Sequence, residues 1–451
     1  MFPKLAEDLA ELPALLEETR AYAERILTGL EARQVATGPV EHAPAALPED
    51  GAGLRAALRT FATRWEPGFS ASAGPRYLGF VTGGTTPAAL AGDWLTSALD
   101  QNAHGAAGSA ATALEREAVS WLGALFGLDR PGAFVTGATM SNLVGLATGR
   151  EWLGSLSGGS VADDGVTTPI RVLSGTPHSS IAKAMSVLGI GRRNLVPVAT
   201  RPDREAVDVA ALERELAAGP AIVVANAGTV NTVDFDDLRA IAALKSRYEF
   251  WLHVDAAFGG FAAVSPAFAP LLDGWTEADS VCVDLHKWLN VPYDSAVQFT
   301  RRPDLQLRVF ENVSSYLGAP GDTPDFMHLT PETSRRLRAL AAWFALAAYG
   351  RAGYREIVER NVAGAREMGA RLDRSSRWRL LAPVRLNVVC FTLSGDATAE
   401  RVKEALDAVT RSGEAFLTPT VYQGLPAVRA AFSNWRTTAA DVDRVCAALG
   451  A

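Results

Sequence analysis

Between residues 170 and 285 the apolar positions of this chain fall into short runs separated by amphipathic stretches. The runs predict strands over 171–174, 195–199, 221–225, 251–254 and 281–284. The stretches between them predict helices over 179–188, 209–217 and 236–248. Strand and helix alternating in this way predict an α/β fold with a mainly parallel sheet and crossover helices. Upstream, helical spacing covers 5–33, with Pro13 as an early kink, and resumes over 54–64 and 88–99 after a connector at 35–50 rich in Pro, Gly and Ala. A strong helix over 110–126 carries Leu114, Val119, Trp121, Leu122 and Leu125, and 134–142 reads as strand, tight turn and helix start. Residues 155–168 read as a surface loop. Downstream, 308–331 is irregular, as expected of a lid or binding loop. Helices follow over 332–349, ended by Gly350, and over 354–372. Strands at 386–393, 415–419 and 427–432, a helix over 398–412 and a last helix from 439, with Thr438 as its cap, complete an α+β tail. The expected organisation is an N-terminal helical segment (1–70), a large α/β domain (71–330) and a small C-terminal α+β domain (331–451).

Composition narrows the class. The chain has 451 residues, 48% hydrophobic and 21% charged, enough to bury a large core. Its net charge of −7 shows no basic block and argues against a nucleic-acid partner. Three widely spaced cysteines form no CxxC pair and no disulfide framework. No apolar run reaches membrane-spanning length, and the N-terminus is polar and acidic rather than a signal peptide, so a cytoplasmic protein is expected.

The chemistry gathers at strand ends. The run Ser280-Val-Cys-Val-Asp-Leu-His-Lys-Trp288 begins as an apolar strand and ends with Asp284, His286 and Lys287. A lysine there is expensive to desolvate without a partner; otherwise it snorkels out beside Trp288. The strand Phe250-Trp-Leu-His-Val-Asp-Ala-Ala257 delivers Asp255. One Lys and one Asp at adjacent strand ends suit pyridoxal phosphate, the Lys as Schiff-base amine and the Asp as partner of the pyridine nitrogen. His178 and Thr229 also fall just past strand C-termini, where sites in such sheets sit. The turn Gly137-Ala138-Thr139 opens a helix whose free N–H groups suit an anion, unless Thr139 and Ser141 simply cap it. Gly83-Gly84 reads as a turn. No GxGxxG opens a βα unit, which disfavours a nicotinamide enzyme.

The Asp-x-His-Lys-Trp and His-Val-Asp-Ala-Ala runs together resemble the group II pyridoxal-phosphate-dependent amino acid decarboxylases, the family of the aromatic-L-amino-acid, glutamate and diaminobutyrate decarboxylases. The resemblance runs from about residue 75 to the C-terminus. It implies fold type I, like aspartate aminotransferase, and a homodimer to which the N-terminal helices contribute. It implies that His178 stacks on the cofactor ring, that Gly137, Ala138 and Thr139 hold its phosphate, and that Thr229, Ala257 and His286 lie around it, with Asp284 supporting His286. On the substrate side it implies Tyr77, Phe80, Thr85 and Thr86, with His104 a lesser candidate. The expected reaction is decarboxylation of an L-amino acid, aromatic or apolar, to the amine. In the lid, Phe326 aligns with a position where many relatives carry a proton-donating Tyr, and Phe there accompanies oxidative conversion to an aldehyde. His328 and Tyr316 are alternative proton donors. Arg436 reads as a surface residue or a partner for a substrate carboxylate. A transaminase, a lyase or a silent homologue on the same fold remain alternatives.

Overall fold

The computed structural model describes residues 1–38, 41–106, 108–313, 315 and 320–451. Helices α1 (Pro3–Ala10) and α2 (Leu12–Thr28) lead in, and α2 carries Pro13 in its first turn, where a missing N–H breaks nothing. Helix α3 (Leu54–Thr60) follows; then Thr86 caps α4 (Pro87–Leu99), its hydroxyl accepting the Ala89 N–H at 3.4 Å. Helix α5 (Ala111–Phe126) and strand β1 (Gly132–Val135) precede α6 (Ala138–Leu156).

Six further strands complete the large sheet: β2 (Val172–Ser174), β3 (Leu195–Pro197), β4 (Ala221–Asn226), β5 (Phe250–Asp255), β6 (Ser280–Asp284) and β7 (Ala296–Thr300). Strands β4, β5 and β6 are buried at every position, because helices cover both faces of a parallel sheet. The order is β1-β7-β6-β5-β4-β2-β3, parallel from β6 to β3. Strand β7 alone runs antiparallel, between β1 and β6. The hydrophobic pattern misses it: Ala-Val-Gln-Phe-Thr is short and hides a fully buried Gln298.

A second sheet, wholly antiparallel, contains β8 (Trp378–Leu380), β9 (Val388–Leu393), β10 (Thr418–Tyr422) and β11 (Leu425–Ala431) in the order β10-β11-β9-β8. Between the sheets runs the helix Ala339–Arg374, broken at Gly350 with φ 54°. This helix starts later than residue 332 because the preceding backbone is committed elsewhere. The Arg335 N–H bonds the Asn102 side chain at 2.8 Å, and its carbonyl takes the Ala103 N–H at 2.8 Å. Thr438 caps the last helix, Ala439–Leu449, in a capping box with Asp441. No helix among the described residues is long and apolar enough to cross a membrane.

One buried ion pair binds these layers. The Arg335 guanidinium meets both oxygens of Glu115 on α5, at 2.7 and 3.0 Å, and the carbonyls of Ala103 and Phe134 at 2.8 Å each. Both side chains are 1% exposed. Removing one partner strands the other charge in the core. Glu115→Ala is expected to lower stability by about 3–5 kcal/mol. Urea unfolding checks this, and a loss below about 1 kcal/mol would mean the pair is no more than a surface bridge.

Candidate active site

Strand β6 ends at Asp284, and the chain turns at once into the short helix Leu285–Trp288. The N–H groups of Leu285 and His286 both donate to the Ser295 carbonyl, at 3.0 and 3.1 Å, which fixes the turn against β7. Trp288 is buried and donates through Nε1 to Asn361 at 2.8 Å. Lys287 does not snorkel beside it. Its Nζ lies 3.2 Å from Asp284 Oδ2 and 5.8 Å from the Phe258 ring centroid. Burial disfavours the ammonium, but the carboxylates of Asp284 and Asp255 outweigh it, so the Lys287 pKa rises above its ordinary value. Gly83 lies directly on this turn: a Cβ there would fall 1.7 Å from the Lys287 carbonyl oxygen. Asn290, in the left-handed region at φ 55°, closes the arrangement. Its Nδ2 donates to the carbonyls of Gly83 (2.6 Å) and Ser433 (2.7 Å).

Asp255 ends β5, beside β6. Its Oδ1 accepts the Ala257 N–H at 3.2 Å, and its Oδ2 accepts Asn142 Nδ2 at 2.9 Å. The Ala257 carbonyl in turn accepts the Asp284 N–H at 2.8 Å, tying the two acidic strand ends together. His178 caps the helix Ser179–Val187, its Nδ1 accepting the Ser180 N–H at 3.2 Å and lying 2.8 Å from Ser180 Oγ. Burial pulls the His178 pKa below its ordinary value against the opposing pull of Asp255, so the ring is neutral at pH 7.

The turn before α6 presents unused donors. Gly137 offers no side-chain cap. Ala138 N–H reaches Asp284 Oδ2 at 3.3 Å, while the N–H groups of Thr139 and Met140 find no acceptor among the described residues. With the helix dipole behind them, they suit an anion. His286 Nδ1 accepts the Ser295 N–H at 3.3 Å, and its ring packs on Tyr293 at 4.2 Å. Nδ1 also lies 3.0 Å from Asp284 Oδ1, a buried oxygen with no hydrogen-bond partner among the described residues. Burial lowers the His286 pKa.

Other expected site residues lie elsewhere or are otherwise engaged. Thr229 Oγ1 donates to Glu205 at 2.5 Å and accepts the Asp234 N–H at 2.9 Å, so its hydroxyl belongs to a turn. Thr86 is buried as the cap of α4, and Thr85 presents its carbonyl to Trp435 Nε1 at 2.9 Å. Tyr77 stacks on Phe416 at 4.7 Å, and Phe80, 61% exposed, lies 6.4 Å from the same ring. His104 bonds only its own loop and the Met327 N–H. Phe326 and His328 are packed into the chain rather than exposed. Phe326 is buried between the guanidinium groups of Arg116 (5.1 Å) and Arg335 (5.0 Å), and His328 is buried with Nδ1 accepting the Asn312 N–H at 3.1 Å. Tyr316 lies outside the described residues. Arg436 stacks on Trp435 at 4.4 Å.

The sequence reading passed over Asn142, Asn290 and Arg429. Arg429, in the middle of β11, is buried with Nε unpartnered, and its charge helps lower the His178 pKa. An arginine inside the apolar run Ala427–Phe432 was the available signal.

Residues 39–394 match the model of the pyridoxal-dependent decarboxylase conserved domain. The chain belongs to that family, and it is a pyridoxal-phosphate-dependent amino acid decarboxylase. It is 32% identical over 355 residues to the aromatic-L-amino-acid decarboxylase of Sus scrofa, covering 72% of each chain. It is 27% identical over 384 residues to that of Bacillus atrophaeus (81% of this chain, 78% of the relative), and 25% over 419 residues to the 4-hydroxyphenylacetaldehyde synthase of Rhodiola rosea (89% and 84%). The fold matches Oryza sativa TDC, solved with PLP and tryptamine, at TM-score 0.89 and 24% identity over 98% of both chains. The site fits this cofactor: an amine held between acids, a carboxylate at the neighbouring strand end, and free N–H groups at a helix start.

A neutral histidine inside the sheet gives a pH test. Burial pulls His253, on β5, from the ordinary 6.5 to about 4. Between those values the unfolded chain takes up a proton that the folded chain refuses, so stability falls as pH drops through the window, by up to about 3 kcal/mol. Urea unfolding at pH 7 and pH 4.5 should show a smaller acid loss in His253→Gln than in the native protein. Equal losses would mean His253 is not buried neutral.

Proposed function

We propose that this decarboxylase acts on an L-amino acid with an aromatic or apolar side chain and releases the amine. The observation that carries the site assignment is the convergence of Lys287 with Asp284 and Asp255 beyond the C-terminal ends of β5 and β6. Lys287 would hold the cofactor through Nζ, with Asp284 beside it to balance the amine's charge. Asp255 would face the pyridine nitrogen and favour its protonated form; a carboxylate beside a cation shifts such a pKa by about 1–3 units, or roughly 1.4–4 kcal/mol. Pyridoxal phosphate supplies the electron sink that receives the electron pair when the bond from Cα to the carboxylate breaks. Neutral His178 would face the cofactor ring when it is bound and would restrict the angle at which the substrate carboxylate stands. Gly137, Ala138 and Thr139 take the phosphate, with His286 and Ala257 flanking the site. Arg429 offers a positive charge to a substrate carboxylate. Tyr77, Phe80 and Phe416 form an aromatic wall suited to an apolar side chain.

A second product reading, the aldehyde, is favoured by the relative named as an aldehyde synthase. The holoenzyme is to be offered L-Trp, Tyr, Phe, Met, Glu and Asp while CO2 and oxygen are followed. Carbon dioxide without oxygen uptake, fastest with an aromatic substrate, is expected; oxygen consumed one-for-one with CO2 would establish the aldehyde route. Lys287→Ala should lose the visible absorbance of bound cofactor and nearly all turnover, and an unchanged spectrum would sink the Lys287 assignment.

Partner and location follow from surface and composition. Phe2, Leu5, Leu9, Leu12 and Leu16 are exposed on the N-terminal helices, an apolar face that a second copy of the chain would cover. Light scattering of the holoprotein is expected to give a dimer, and a monomer would overturn this. Three unpaired, buried cysteines suit the reducing cytoplasm.

A further inference from the structure

We infer that Trp251, Ser280, His253 and Asn142 form a one-way chain of hydrogen bonds that holds Asp255 as an acceptor and, through Ser180, turns a second donor to His178 Nδ1, which already accepts the Ser180 N–H. The inference rests on the reading that Asp255 and His178 serve the cofactor. Its direction follows from what each group is able to give. The indole of Trp251 only donates, and it donates to Ser280 Oγ at 3.0 Å. The Ser280 hydroxyl then has its own hydrogen for His253 Nδ1, 2.8 Å away. His253 therefore carries its proton on Nε2, which lies 2.8 Å from Asn142 Oδ1. The Asn142 amide is thereby oriented, and its two Nδ2 hydrogens go to Asp255 Oδ2 (2.9 Å) and Ser180 Oγ (3.0 Å). Ser180 passes its hydrogen to His178 Nδ1 at 2.8 Å. The far end fixes the polarity: the Asp255 carboxylate only accepts, so Asn142 turns Nδ2 to it and Oδ1 to His253 Nε2, which must carry the proton. The links from Trp251 to Asn142 all point their hydrogens toward Asp255.

A second observation shows that the helix facing this chain is shaped to admit it. Asn142, Gly145 and Gly149 lie at i, i+3 and i+7 on one face of α6. A Cβ on Gly145 would fall 2.5 Å from His253 Nδ1 and 3.1 Å from Ser280 Oγ, and one on Gly149 would fall 2.7 Å from Trp251 Cδ1. Glycine is a poor helix former, and here two of them leave room for the imidazole and the indole. Asn142 and His253 are thus positioning residues, acting on the cofactor only through Asp255 and His178.

The first test needs neither cofactor nor variant. In apo-protein labelled with 15N-histidine at pH 7.5, the ring nitrogens of His253 and His178 should both report Nε2–H and an unprotonated Nδ1. A proton on Nδ1 of either ring would overturn the chain as drawn. The second test uses holoenzyme. His253→Phe removes the donor to Asn142 and should lower kcat about ten- to a hundredfold with KM little changed, as for a lost hydrogen bond in a buried charged network. It should also shift the pH titration of the cofactor's visible absorbance. His253→Gln, which restores a donor, should recover most of the rate; Gly145→Ala, which displaces the ring, should resemble His253→Phe. Asp255→Asn separates the outcomes. If it abolishes turnover while His253→Phe leaves kcat and spectrum unchanged, the inference fails and the reading of Asp255 stands. If Asp255→Asn leaves turnover intact, the reading and the inference fall together.

Discussion

An ammonium group set at the end of a closely packed sheet has to be held together with its counter-charge. That constraint organises this protein. The parallel pairing of β5 and β6 brings Asp255 and Asp284 to the same edge of the sheet, and the turn after β6 returns Lys287 onto Asp284 at 3.2 Å. Much else supports that turn. Ser295, just before β7, supplies the carbonyl that anchors it, Ala257 links the two acidic strand ends, and Gly83 leaves room for its backbone. The raised pKa of Lys287 expresses the same balance, two carboxylates outweighing desolvation.

The elements that carry the chemistry were legible because they follow local rules. Apolar runs ending in a charged residue gave β5, β6, Asp255 and Lys287, and the strand–helix alternation gave the mainly parallel sheet. Strand β7 was not legible, since its five residues include a buried glutamine that interrupts the apolar pattern. Nor was the later start of the helix at Ala339, which depends on Arg335 bonding a loop more than two hundred residues away. The position of Phe326 depends on tertiary packing as well: nothing local says that two arginines will enclose it.

Polar partners of the site were harder still to read. Asn142 and His253 look like an ordinary helix residue and an ordinary strand residue, and their meaning lies in hydrogen bonds across 111 positions of sequence. Arg429 was hidden in the same way, inside a strand that reads as core. Thr229, by contrast, drew attention through its place past a strand end, while its hydroxyl is satisfied by Glu205 and Asp234. Position at the sheet edge selects candidates; hydrogen-bond accounting decides among them.

The segment 433–437 joins chain ends that are distant in sequence. Asn434 bonds the carbonyls of Ala73 and Gly74, Trp435 that of Thr85, and Thr437 that of Pro75, across separations of 350 to 362 residues. Asn290 connects this seam to the lysine turn through Gly83 and Ser433. Long-range closures of this kind form late, because the loop entropy must be overcome before the contacts return anything. A nascent chain therefore carries Lys287 long before it has a finished pocket around it. The wall of the pocket around that lysine is thus built from segments far apart in sequence, and it forms only once residues 433–437 have joined residues 73–85.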